Sequence, residues 1–302
     1  MIAVMGAAGN VGSKVADMLL RRGEDVRVLQ HLRGLEELGG RGAEVITGDA
    51  TSAEDLRALF DGAEAALVLV PDIVADPRFV ANRSRMAHAI AGALREARVG
   101  HVVALSVVGA DRDDLVGPPA GLHEFERLLS GLDGASVLVL RSVSYMDYLL
   151  ASIPMIQALK VNGSAIRGDL EIPMIATADV AREAAERLAR RDFTGHQVKL
   201  LLGPEDLTMR EATRTLGARL GEPELEYVEL PPAEVKGALL AAGMSEEAAS
   251  LMVEMQLGVN RGVFFGGLRR TAETATPTRL QDFLRDLQIP ADDSMSTQGG
   301  TR

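Results

Sequence analysis

The sequence predicts an α/β protein built on a doubly wound parallel sheet, with a small, mainly helical cap toward the C-terminus. Short β-branched runs alternate with helical patterns over the first two thirds of the 302 residues, as parallel strand–helix–strand units require. A glycine-rich turn, Gly6-Ala7-Ala8-Gly9-Asn10-Val11-Gly12, separates the first such run from the first helical pattern. Beyond residue 231 the composition shifts, and helical patterns follow one another with no strand-like run among them.

Taken in order, strands are expected near 1–5, 25–29, 43–46, 65–70, 100–106 and 136–140, and helices near 11–22, 53–60, 78–97 and 122–130. Asp76 followed by Pro77 predicts a helix start, an N-cap plus a first-turn proline whose missing N–H is not needed there. Thr177 is expected to cap a helix over 179–190. A further strand follows at 197–202, and Thr208 with Glu211 has capping-box spacing. Helices near 233–242, 246–260 and 280–287 complete the chain. The expected division is a dinucleotide-binding domain over 1–150, rejoined by 175–205, and a cap over 206–289 with 151–174. Residues 290–302 are too polar to bury anything and are expected to be disordered.

Composition removes several functions. There is no Cys, which excludes disulfides, thiolate nucleophiles, iron–sulfur clusters and Cys-ligated zinc. Five His and no grouping with ligand spacing leave no metal site. Lys plus Arg number 32 against 43 Asp plus Glu, and a net charge of −11 disfavours direct nucleic-acid binding. No apolar run reaches the ~18–20 residues of a membrane-spanning helix, and residues 1–5 lead into the glycine turn without a signal-peptide pattern. A cytoplasmic protein with no membrane partner is expected.

The glycine turn follows a strand and opens a helix, the setting that gives the pattern meaning. Gly6 permits the tight turn, Gly9 lets backbone N–H groups approach a pyrophosphate, and Gly12 lets helix and strand pack closely. Ala8, Asn10 and Val11 complete a cradle at the helix N-terminus, which faces the anion in a Rossmann-type site. At the end of the second strand, where NAD-specific sites carry an acidic residue for the ribose, stand Gln30, His31 and Arg33. An acid there would repel a 2′-phosphate, whereas His31 and Arg33 can donate to one, so NADP(H) is expected ahead of NAD(H). The competing reading leaves both as solvated loop residues. Asp49 and Ala50 follow the third strand at the adenine end, where Asp49 either meets the base or caps a turn. Val70 and Pro71, Ser106 and Val107, and Ser142 and Val143 end later strands at the edge where such folds bind ligands.

The chain to about residue 287 resembles the NmrA-like branch of atypical short-chain dehydrogenases/reductases. Carrying the resemblance are the glycine turn, Gly48-Asp49, His101-Val102-Val103-Ala104-Leu105-Ser106-Val107-Val108-Gly109-Ala110, and Leu140-Arg141-Ser142-Val143-Ser144-Tyr145-Met146-Asp147. Ile175-Ala176-Thr177-Ala178-Asp179-Val180-Ala181 and Leu202-Gly203-Pro204-Glu205 add to it. It implies a Rossmann fold with a C-terminal cap and a cleft between them for the nicotinamide and a substrate. It also exposes departures. Members often have Pro-Gly-Phe-Phe where this chain has Ser142-Val143-Ser144-Tyr145. The Lys that such enzymes often keep aligns with Gly121, and no Tyr or Lys lies between residues 100 and 144.

Without that Tyr–Lys pair, His123 is the first candidate general acid, its ordinary pKa lying near 6.5; its plain alternative is a helix-start His that is exposed or bonded to a carboxylate. Tyr145 is second, followed by Asp147 and Tyr148. Met-rich stretches over 146–155 and 244–255 would suit a flat hydrophobic ligand, although Leu251, Met252, Met255 and Val259 have the spacing of core. The expectation is an NADPH-dependent oxidoreductase of a quinone-like or aromatic carbonyl compound. The alternatives are a non-catalytic NADP(H) redox sensor acting through a regulatory protein partner, or a non-redox tailoring protein on the same fold. Association as a homodimer is a further expectation.

Overall fold

The structure, a computed structural model, describes residues 1–31, 34–112 and 115–285. Expectations for Arg33 and for a tail over 290–302 lie outside the described residues. Seven parallel strands form the main sheet: β1 (Ile2–Val4), β2 (Val26–Gln30), β3 (Glu44–Thr47), β4 (Ala65–Val68), β5 (His101–Val107), β6 (Ser136–Ser142) and β10 (His196–Leu201). Their spatial order is β10-β6-β5-β4-β1-β2-β3. The chain winds outward from β1 in both directions, so the switch point lies between β1 and β4.

Alternate strand residues feed the two faces of this sheet. Ile2, Val4, Leu67 and Leu138 point toward α1 (Gly12–Arg21) and α7 (Thr177–Arg190), against Val15, Leu19, Val180 and Leu188. Ala3, Ala66, Val68, Val102 and Val139 point the other way, onto Leu56 and Phe60 of α3 (Ala53–Phe60), Met86 and Ile90 of α4 (Phe79–Ala97), and Phe125 and Leu129 of α5 (Gly121–Ser130). β4 is buried at all four positions, as a central parallel strand covered on both faces must be. A short α2 (Glu36–Gly40) joins β2 to β3.

The strands and helices expected from periodicity in this half are present, with ends moved by one or two residues. Two helix starts differ. Asp76 does not cap α4; its Oδ1 accepts from Arg78 N at 2.8 Å in a turn before the helix, which begins at Phe79. Thr177 is the first residue of α7 rather than its cap, because its hydroxyl donates to Asp147 Oδ1 at 2.9 Å. The box at Thr208 is as expected, with Thr208 Oγ1 accepting from Glu211 N at 3.1 Å and Glu211 Oε2 accepting from Thr208 N at 2.9 Å.

The rest of the chain contains strands that the sequence does not announce. After β6 come β7 (Ser144–Tyr145), a 3₁₀ stretch (Met146–Ser152), α6 (Ile153–Leu159), β8 (Val161–Ser164) and β9 (Glu171–Ile175). β11 (Asp206–Thr208), α8 (Met209–Leu220), β12 (Glu226–Glu229), α9 (Pro232–Ala241), α10 (Glu246–Asn260) and α11 (Leu280–Arg285) complete it. β9 lies between β7 and β11, and β8 pairs in parallel with β12. Beyond residue 231 only helices occur among the described residues. A separate core holds this region together, with Met146, Leu149, Ile172 and Met174 against Met209, Leu216, Val259, Phe264 and Leu280. On α10, Val253 and Val259 are buried while Leu251, Met252 and Met255 are only partly covered, so the buried stripe is rotated from the one the spacing suggested.

Candidate active site at the carboxyl ends of the sheet

The glycine turn lies at the switch point. Met5 N donates to Leu67 O at 3.0 Å, Gly6 takes a φ of +66°, and Gly9 N donates to Gly6 O at 2.8 Å. A Cβ at Gly12 would collide with the Gly6 carbonyl and stand 2.8 Å from that of Met5, so the close approach of α1 to β1 requires glycine there. Ala8, Gly9 and Asn10 are exposed, while Val11 and Gly12 are buried beneath them. Val11 takes the cap position of α1 with no side-chain cap bond, and no acidic residue occupies the first turn. The leading N–H groups are therefore unclaimed by a capping side chain at the positive end of the helix dipole, and this donor set fits a pyrophosphate. Lys14 Nζ donates to Asn10 O at 2.6 Å and to Thr177 Oγ1 at 3.1 Å, and Thr177 in turn holds Asp147. Lys14 thus ties the turn to the segment carrying Tyr145 and Tyr148, a link between residues 163 positions apart that no local pattern shows.

On the β2–β3 side, Gln30 Oε1 accepts from Leu35 N at 3.1 Å and shapes the loop after β2. His31 is exposed, and its Nδ1 lies 3.9 Å from Asp49 Oδ2 across the strand ends. Asp49 Oδ1 accepts from Thr51 N at 2.7 Å, which is the turn-capping alternative, and Ala50 is half-buried beside it. Burial alone would raise the Asp49 carboxyl; the Thr51 backbone and hydroxyl groups and the His31 and Arg85 charges outweigh it and hold the group below its ordinary value. Its second oxygen faces His31.

On the β4–β6 side Val70 is buried and Pro71 half-buried. Ser106 is turned inward and donates to Glu126, and Val107 is half-buried. Glu126 is gripped by Arg141, Nε to Oε1 at 3.0 Å and Nη2 to Oε2 at 2.6 Å, with both side chains about nine-tenths covered. Ser142 Oγ donates to Ser106 O at 3.3 Å and to Tyr145 Oη at 3.0 Å, and Val143 is buried. The hydroxyls of Ser106 and Ser142 are thus engaged within the protein, so these strand ends face the crevice chiefly through backbone.

His123 is half-buried in the first turn of α5, with Nδ1 2.9 Å from Ala110 O. A carbonyl only accepts, so Nδ1 carries the proton and the ring is tied to the turn after β5. Tyr145 stacks at a tilt on Tyr148, ring centres 5.6 Å apart, and burial pushes its phenol up, so it stays protonated at neutral pH. Arg83 of α4 is the charge that sequence reasoning missed, hidden in the polar run Asn82-Arg83-Ser84-Arg85. It is 7% exposed, meets Asp72 through Nη1, and places its guanidinium carbon 5.4 Å from the Phe79 ring centre. A separate groove of about 720 Å³, lined by Arg214, Arg219, Gln281 and Arg285 among others, shares no residue with this site.

Residues 6–191 match a family described as NAD(P)H-binding. The chain belongs to that family. Quinone oxidoreductase 2 of Escherichia coli is 25% identical over 276 residues, covering 88% of this chain and 90% of its own length. The (4-alkanoyl-5-oxo-2,5-dihydrofuran-3-yl)methyl phosphate reductase of Streptomyces griseus is 30% identical over 246 residues, covering 80% of this chain and 81% of its own. Among solved structures, the triphenylmethane reductase of Citrobacter sp. complexed with NADP(H) superposes with a TM-score of 0.78 at 19% identity, covering 94% of this chain and 99% of that one. NmrA, a negative transcriptional regulator solved with NAD, shares the fold at a TM-score of 0.66 and 17% identity, over 94% of this chain and 89% of its own. The Rossmann fold and the NAD(P)H-binding family expected from the motifs are borne out, and the fold is shared with NmrA.

Proposed function

We propose that this protein is an NADPH-dependent reductase of flat, conjugated hydride acceptors, compounds of quinone or activated-enone type. The observation that carries this reading is an intact dinucleotide cradle in a chain with no Tyr or Lys from residue 100 to 144. An isolated ketone needs a proton donor positioned at its oxygen as the hydride arrives. A quinone, an enone with a second carbonyl, or a triarylmethyl cation spreads the incoming electron pair over a conjugated system and is reduced without one. The names of the relatives fit such acceptors: a quinone, a triphenylmethane, and a dihydrofuranone carrying a ring alkene beside two carbonyls.

When bound, the nicotinamide supplies the hydride; this chain's residues bind and orient. The glycine turn would hold the pyrophosphate and His31, with Arg33, the 2′-phosphate. The crevice beyond β4 to β6 would hold the nicotinamide, with Tyr145 and Tyr148 as a wall beneath the cap, the division into a domain over 1–150 with 175–205 and a cap over 151–174 with 206–289. The test offers purified protein NADPH with menadione, a benzoquinone, a triphenylmethane dye and, as controls, simple aldehydes and ketones. Acceptor-dependent loss of the cofactor's near-ultraviolet absorbance with the conjugated compounds and not the controls is expected. Loss with the simple carbonyls alone would overturn the reading.

A further inference from the structure

Lys14 stands half-buried in the first turn of α1, at the positive end of that helix's dipole, where a cation is unfavourable and an anion favourable. The other three lysines, Lys160, Lys199 and Lys236, each meet a carboxylate. Lys14 does not: among the described residues its ammonium is held by two neutral groups, Asn10 O at 2.6 Å and Thr177 Oγ1 at 3.1 Å. Its place in the helix and its partners do little for the fold by itself, and an anion bound at the same helix end reverses that balance. What the ammonium holds is a peptide of the glycine turn. The Asn10 carbonyl and the Val11 N–H belong to one planar unit and point in opposite directions, so fixing one fixes the other. Among the described residues the Val11 N–H donates to no other group, and it is one of the leading donors at the end of α1 that no side chain caps. A cation on the carbonyl also polarises the unit and strengthens the N–H on its far side as a donor. On the other side of the ammonium, Thr177 donates to Asp147, Oγ1 to Oδ1 at 2.9 Å and N to Oδ2 at 3.4 Å. Asp147 lies between Tyr145 and Tyr148 in the chain.

We propose that Lys14 is a positioning residue for both parts of the site: it holds the Asn10–Val11 peptide with the Val11 N–H toward the cofactor's pyrophosphate, and through Thr177 and Asp147 it fixes the Tyr145–Tyr148 segment to the same turn. The pyrophosphate half requires only the dinucleotide. The tyrosine half rests on the reductase reading, in which that segment is the wall beside the acceptor. Lys14 acts through the peptide and through Thr177 rather than on the reacting atoms. A bound pyrophosphate then meets an oriented, polarised N–H with a cation close behind it, which a helix dipole alone does not provide. Without the ammonium the peptide loses the bond that sets its plane, and the tyrosine segment loses its tie to the turn. The adenine end of the cofactor, on the β2–β3 side, depends on neither bond.

Binding tests both halves without turnover. Calorimetric titration compares NADP⁺ with adenosine 2′-monophosphate, which has the adenine and the 2′-phosphate but no pyrophosphate. Lys14→Met is expected to raise the NADP⁺ Kd about tenfold or more, the size of a lost hydrogen bond to a charged group, and to leave that of adenosine 2′-monophosphate within about twofold. Lys14→Arg should keep most of the NADP⁺ affinity. Thr177→Val spares the bond to Asn10 and cuts only the link to Asp147. It should leave NADP⁺ binding near wild type and weaken menadione binding to the NADP⁺-loaded protein roughly 2- to 10-fold, the worth of one ordinary hydrogen bond. Unchanged NADP⁺ affinity in Lys14→Met, or a parallel loss for adenosine 2′-monophosphate, would overturn the proposal, as would menadione binding indifferent to Thr177→Val. If Lys14→Met does not fold, Lys14→Gln removes the same charge with a polar side chain and carries the same expectations. Conjugated acceptors neither bound nor reduced, with NADP⁺ binding still dependent on Lys14, would retain the pyrophosphate half and reject the tyrosine half together with the reductase reading.

Discussion

Gly12 and Arg83 are both buried, and substitution at each tests a different property. At Gly12 there is no space for a methyl group, and Gly12→Ala must push α1 away from β1. We expect a stability loss of about 1–3 kcal/mol, typical of overpacking, together with at least a tenfold rise in NADPH Kd, read by calorimetric titration. Burial pulls the Arg83 guanidinium down to about 10, and the Asp72 carboxylate works against that pull. Because Asp72 is 47% exposed and can hydrate when left alone, Arg83→Met should unfold at an equal or higher temperature than wild type at pH 7, read by thermal melting. A lower melting temperature would make Arg83 a structural cation. His123, tied to Ala110 O, should not behave as a general acid: His123→Gln should lower kcat by less than about tenfold, against ~10²–10⁴ for loss of a true proton donor.

Elements carried by their own periodicity were legible, and elements made by partners were not. β4 and α1 announce themselves because burial on both faces or one stripe fixes their composition. β8, β9, β11 and β12 are three to five residues long and exist because they pair with one another, so their residues carry little signal before the chain is folded. The glycine turn was readable for the same local reason, whereas Lys14, Thr177 and Asp147 meet only through tertiary structure and Arg83 looks like surface in its own helix. At the α1–α2 junction, burial would raise the Asp17 carboxyl, but Arg41 and Arg21 outweigh it and hold it low. A carboxyl depressed on folding stabilises above its unfolded pKa and loses that contribution as pH falls through its folded one. Asp17→Asn should therefore destabilise by a few tenths to about 1 kcal/mol at pH 7 and by nothing measurable in acid below its folded pKa, checked by urea unfolding at each pH. At the entry to α8, Thr208→Ala should cost about 1 kcal/mol by the same method, the usual worth of an N-cap.

Across the molecule, one switch point organises the account. The strand order divides the crevice into a β2–β3 half bearing His31 and Asp49 and a β4–β6 half bearing Arg83, Tyr145 and Tyr148, with the glycine turn between them. The adenine end of the cofactor on the first half, and its nicotinamide with the acceptor on the second, would place hydride and acceptor within reach without a Tyr–Lys pair. The most direct measurement is a single-turnover mix of NADPH-loaded protein with menadione under anaerobic conditions, followed by the cofactor's near-ultraviolet absorbance. The account predicts a decay whose rate rises and saturates with menadione concentration, faster with NADPH than with NADH. Bound NADPH that persists unchanged at every menadione concentration would contradict it.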